Sequence, residues 1–193
     1  MRAAESSTSL TMVHLAILRA AIGLAVVFAL CTGCGSSSSS KVDTATYVKT
    51  VCSAISPLEH DVITRTQALS GSTAASAAQA KKTLEGFLAA VSKDADQAVA
   101  RISSAGTPDI SGGQSVANEI VKAFTQLRDA MHAAATKASS LPTDSASSYK
   151  TAAQALNANV RASLNNIDAS GLSNPDIERA AAKEPVCKSL SAG

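Results

Sequence analysis

Tryptophan is absent from this 193-residue chain, and aromatic side chains make up only 3% of it. Much of the 46% hydrophobic content is alanine. A core built from such side chains is thin and needs close approach, which favours helices and makes any covalent staple valuable. Apolar and polar residues nowhere alternate as they do in strands. An excess of one charge is missing too: 17 Lys and Arg stand against 15 Asp and Glu, interspersed along the chain. That balance gives no electrostatic footprint for nucleic acid and no polybasic membrane patch. The length suits one domain plus targeting segments.

The first 33 residues read as a secretion signal. Arg2, His14 and Arg19 form a mildly positive start, and Ala20 to Leu30 is an uninterrupted apolar run. Small residues, Thr32 and Gly33, follow at a cleavage position. The run is too short to span a bilayer, which takes about 18 to 20 apolar residues. Translation starts at Met1 or at Met12, whose VHLAILR continuation makes a tidier leader.

Leu30-Cys31-Thr32-Gly33-Cys34 resembles the bacterial lipobox, in which an aliphatic residue and two small residues precede the acylated cysteine. Cys31 stands where leucine is usual. The resemblance implies that Cys34 becomes lipid-modified and holds the rest at the extracytoplasmic face of the cell membrane. The alternative is an ordinary signal peptide that leaves Cys34 as a free thiol. After Cys34, Gly35 and Ser36 to Ser40 form a polar, low-complexity spacer, as expected of a tether. A thioether-linked diacylglycerol supplies the two chains that stable anchoring needs. The expected organisation is therefore a leader at 1–33, a lipidated Cys34 with its tether at 34–42, and a helical domain at 43–190.

Four cysteines are present. Removing Cys31 with the leader and using Cys34 for lipid leaves Cys52 and Cys187, a pair that an oxidising compartment would join as one disulfide. A redox or nucleophilic role is the weaker alternative, since the two form no C-x-x-C motif and no histidine lies near either in sequence.

Helical periodicity runs through the domain. Val48, Val51, Ile55, Leu58, Val62 and Leu69 follow a three-four spacing that places them on one helix face. Pro57 interrupts it, and Ser56-Pro57-Leu58-Glu59 reads as a capping box where the helix kinks or restarts. A second helix is expected to open at Ser72-Thr73, carry Leu84, Phe87, Leu88, Val91, Ala95, Ala98, Val99 and Ile102, and stop at Gly106-Thr107-Pro108. A third carries Val116, Ile120, Phe124, Leu127, Met131, Ala134 and Ala138 up to Leu141-Pro142. A fourth carries Tyr149, Ala153, Leu156, Val160, Leu164 and Ile167, before Gly171. Asn174-Pro175 starts a short fifth piece that leads to Pro185-Val186-Cys187. Short connections between long amphipathic helices imply an all-α fold: an up-and-down antiparallel bundle of about four long helices plus a short C-terminal piece, stapled by the disulfide. Tyr47, Phe87, Phe124 and Tyr149 read as bundle core.

Val51-Cys52, the Ala105-Gly106-x-Pro108-x-Ile110-x-x-Gly113 turn, the Leu141-Pro142-Thr143-Asp144 turn and the closing Glu184-Pro185-x-Cys187 together resemble small secreted proteins and lipoproteins of actinobacteria. The alanine and serine bias suits a high-GC genome. The resemblance covers residues from about 45 to 188, implies a helical exported domain and lends no activity.

Candidate chemistry is sparse. Asp129-Ala-Met-His132 looks like half of a di-metal bundle motif, but the register of Phe124, Leu127, Met131 and Ala134 turns Asp129 and His132 outward. Glu59-His60-Asp61 diverge by about 100° per residue on a helix. Gly112-Gly113 reads as a flexible lead-in to the third helix rather than a phosphate loop, because Lys and a preceding strand are missing. Without a G-x-S-x-G elbow or a base near any serine, the chain is not expected to be an enzyme or to hold a cofactor or metal. Two functions remain open. One is an anchored interaction or structural module that faces cell-wall polymer or an envelope protein. The other is a carrier holding an apolar ligand, such as a lipid, between the helices.

Overall fold

In the computed structural model, residues 40–71, 74–167 and 173–191 are described. The expected leader, Cys34 and nearly all of the tether lie outside them. Four long helices follow one another: α1 (Thr44–Gly71), α2 (Ala77–Ser103), α3 (Gly113–Ala138) and α4 (Ala146–Asn165). Two short ones, α5 (Pro175–Ala181) and α6 (Pro185–Ser191), close the chain. The bundle is all-α in the sense expected. One element without a sequence signal is added: β1 (Lys41–Val42) pairs in parallel with β2 (Thr107–Pro108).

Local chemistry sets the helix starts. Asp43 caps α1, its Oδ1 accepting from the backbone N–H groups of Ala45 and Thr46 at 3.0 Å each, which satisfies two otherwise orphaned donors. Ser76 caps α2 by accepting from Gln79 N, so the helix starts four residues later than the Ser72-Thr73 expectation. Residues 72 and 73 lie outside the described residues. Ser145 caps α4, and Asn174 caps α5 by accepting from Asp176 and Ile177, as its sequence position before Pro175 implies.

Pro57 neither ends nor restarts α1, which runs unbroken from Thr44 to Gly71. The proline costs the helix the hydrogen bond to the Ser53 carbonyl. Both Ser53 and Pro57 are exposed, so water can serve that carbonyl, and the buried positions on either side hold the helix together.

Three apolar clusters fill the seams. At one end Tyr47, Val48, Val51 and Ala54 of α1 meet Ile102 and Ala105, with Val116, Ala117, Ile120 and Ala123 of α3 and Ile177 and Cys187 of the short helices. In the middle Leu58 packs with Val91, Ala95, Ala98 and Met131. At the far end Leu88, Ala134, Ala138 and Leu141 surround Leu156 of α4. Ala95 and Ala98 are 1% exposed and Ala138 fully buried. Alanine at these crossings lets helices approach closely while contributing little area at about 25 cal/mol per Å². Leu156 is the one buried residue of α4, which makes α4 the most lightly docked long helix.

Candidate functional site

The disulfide is formed. Cys52, in α1, and Cys187, in α6, are bonded with Cα atoms 5.2 Å apart, across 135 residues of sequence. The staple joins the first long helix to the last short one.

The polar residues singled out in the sequence separate as their register implies. Glu59 is half-buried and His60 exposed, and burial pushes the Glu59 carboxyl up from its usual range. Asp61 turns toward α2, where it meets Asp94, while Arg65 one turn along donates to Asp61 Oδ2 at 2.8 Å. Burial, reinforced by the Asp61 charge, pushes Asp94 up. The Arg65 hydrogen bond holds Asp61 down.

His132 lies on the outside of α3, and its Nε2 is 3.0 Å from both carboxylate oxygens of Asp96 on α2. Arg128 donates to Asp129 at 2.7 Å and comes within 4.0 Å of Asp96. Arg128 and Asp96 thus join Asp129 and His132 in one exposed network, each pair of a kind worth about 0–1 kcal/mol. Among the described residues no group of three or more His, Cys, Asp or Glu could hold a metal ion.

Gly112 and Gly113 are not a flexible lead-in. Gly112 takes the left-handed conformation, φ 69°, at the N-cap of α3. Gly113 packs so closely under β2 that a β-carbon there would meet Pro108 O at 2.0 Å. The pair fixes where α3 sits against β2.

The described surface carries grooves, two of which are lined mainly by the long helices. One of about 270 Å³ lies between Leu69, Ala80, Thr83, Leu84 and Tyr149. The other, about 330 Å³, lies between α1 and the end of α2, lined by Thr46, Lys49, Thr50, Ser53, Ala54, Arg101 and Ser104. Its lining holds two cations, four hydroxyl groups and no carboxylate.

No family model, curated protein or solved structure matches the chain.

Lys49 and Arg101 attract no notice in the sequence, because 51 residues separate them and each sits in a charge-balanced stretch. Only the antiparallel return of α2 brings them to one groove. The helix register did hold a partial signal: Thr46, Thr50 and Ser53 follow the spacing of a polar face adjoining the apolar stripe of α1.

Proposed function

We propose that this chain is an exported lipoprotein, anchored through Cys34, whose stapled helical bundle is an interaction or structural module at the cell envelope. The observation that carries the reading is the Cys52–Cys187 bond. Disulfides form and persist outside the reducing cytosol, and these are the two cysteines that would remain free to pair once Cys31 leaves with the leader and Cys34 takes the lipid. Among the described residues no helix is long and apolar enough to cross a membrane, which is compatible with attachment by lipid.

The packed seams favour a module over a carrier. Ala95, Ala98, Ile102 and Ala138 are each at most 1% exposed, so the helix crossings hold side chains where a carried lipid would need room. The reading includes no catalytic step. Its partners would be cell-wall polymer or an envelope protein, met by the exposed polar faces.

The test is metabolic labelling. Radioactive palmitate or glycerol should enter the wild-type protein and be lost in Cys34→Ala. Label that persists in Cys34→Ala, or never enters the wild type, sinks the anchor. Loss of the chain should also change which envelope proteins cross-link to one another; an unchanged pattern counts against the module.

A further inference from the structure

We infer that the groove between α1 and α2, flanked by Lys49 and Arg101, holds the phosphate of an anionic lipid headgroup in the membrane that bears the anchor; the lipid source rests on the proposed lipidation of Cys34. The lining is suited to an oxyanion. Lys49 and Arg101 face the groove from opposite helices, and neither makes an ion pair among the described residues. An ammonium and a guanidinium carried by residues of one lining supply charge-assisted donors of the kind phosphate takes. The Ser53 hydroxyl adds a further donor on the same wall.

Other polar groups here are already engaged in ways that leave the cations uncompensated. Thr50 donates to Thr46 O and Ser104 to Arg101 O. Asp43, the carboxylate nearest in sequence, is turned onto the α1 N-terminus and the Thr46 hydroxyl. Lys41 and Asp109, at the same end of the bundle, neutralise one another at 2.9 Å. The positive end of α1 and the negative end of α2 meet at this groove and largely offset, so the two side-chain cations decide its sign.

Position selects the source of the phosphate. The groove lies in the first turns of α1, immediately after β1, and Ser40 is the first residue of the described chain. Six peptide steps separate Ser40 from Cys34, a reach of at most about 22 Å when extended. A groove held that close to the lipid anchor meets headgroup phosphates at far higher local concentration than any soluble anion.

The protein as the cell makes it, purified in neutral detergent, can be titrated with phosphatidylglycerol, phosphatidylcholine and inorganic phosphate while native mass spectrometry and thermal shift are read. Phosphatidylglycerol should bind and raise Tm. The double variant Lys49→Ala/Arg101→Ala should weaken that binding by about tenfold or more, as expected for losing two charge-assisted contacts. Lys82→Ala/Lys137→Ala, exposed cations on other surfaces, should bind like the wild type. Equal binding by the Lys49/Arg101 variant, or no preference for phosphatidylglycerol over phosphatidylcholine, overturns the site. Tighter binding of inorganic phosphate, lost in the same variant, overturns the lipid source. Detergent binding is measured whether or not Cys34 carries lipid, so its failure is separate from failure of the labelling experiment.

Discussion

Gly113 touches the backbone of Pro108 so closely that a β-carbon would lie 2.0 Å from the Pro108 carbonyl oxygen. The contact sets α3 against β2, and that carbonyl belongs to backbone that cannot swing aside as a side chain does. Gly113→Ala should lower stability by about 1–3 kcal/mol, the usual cost of overpacking. Urea unfolding would show it as a lower midpoint at constant slope; an unchanged midpoint would mean that β2 yields.

Gly86 is the contrasting case. It stands exposed in the middle of α2, with nothing within 4 Å of the position its β-carbon would take. Gly86→Ala should raise stability by about 0.5–1 kcal/mol, because alanine loses less backbone entropy in a helix. The same urea experiment reads it, with the midpoint moving upward.

Tyr47 is 1% exposed, and its hydroxyl has no hydrogen-bond partner among the described residues. Burial pushes its pKa from 10.0 up to about 12. The folded state therefore resists ionisation: the stability this gives is intact below pH 10 and is lost as pH rises through about 12. Tyr47→Phe removes an unsatisfied donor, so at pH 7 it should leave stability unchanged or raise it by up to about 1 kcal/mol. It should also flatten the alkaline decline, which a chemical-denaturation series from pH 8 to 12 would show. A variant that falls away as steeply as the wild type refutes this account of the hydroxyl.

The carboxyls of Asp94 and Asp61 are shifted in opposite directions. Asp94 is raised by burial and by the Asp61 charge, so its favourable contribution is present at acid pH and lost as pH climbs through its raised value. Asp61 is lowered by Arg65, so its contribution is present above the usual carboxylate range and lost only as pH drops through its lowered value. Asp94→Asn removes the ionisation that the fold disfavours. Its Tm should exceed the wild type's at pH 7, and the gap should close toward pH 3. A gap of equal size at both pH values would locate the effect in packing.

The helices were legible in the sequence because the bundle buries one stripe per helix. Val48, Val51 and Leu58 fall on the buried face of α1, as do Val91, Ala95, Ala98 and Ile102 in α2. Asn174-Pro175 marked its helix start because cap and proline act within three residues. What failed was chemistry settled by distant neighbours. Pro57 is tolerated because its helix is held on both sides by tertiary packing, and α2 takes Ser76 as its cap, later than the expected opening. β1 and β2 are two residues each, too short for any periodic signal. The Lys49–Arg101 groove and the Asp61–Asp94 pair join residues from different helices, and neither half carries a motif.

Breaking the disulfide tests how much of the bundle depends on it. Closing a loop of 135 residues removes unfolded-state entropy worth about 5 kcal/mol in the chain-entropy model. Cys52→Ala/Cys187→Ala should lose stability on that scale, and reduction of the wild type should add two mass units, one per sulfur, and reproduce the loss. Variants as stable as the oxidised protein would show that the short helices hold α1 without the bond.

The β1–β2 pair has a mechanical consequence. Thr107 N donates to Ser40 O at 3.1 Å and Asp109 N to Val42 O at 2.8 Å. With the strands parallel, a tug on the chain ahead of Ser40 loads both bonds together in shear instead of unzipping them in turn. Behind them, the disulfide in α1 caps how far any opening can run. The pair is thus a latch: strain arriving from ahead of Ser40 is borne at residues 40–42 before any helix is asked to unwind.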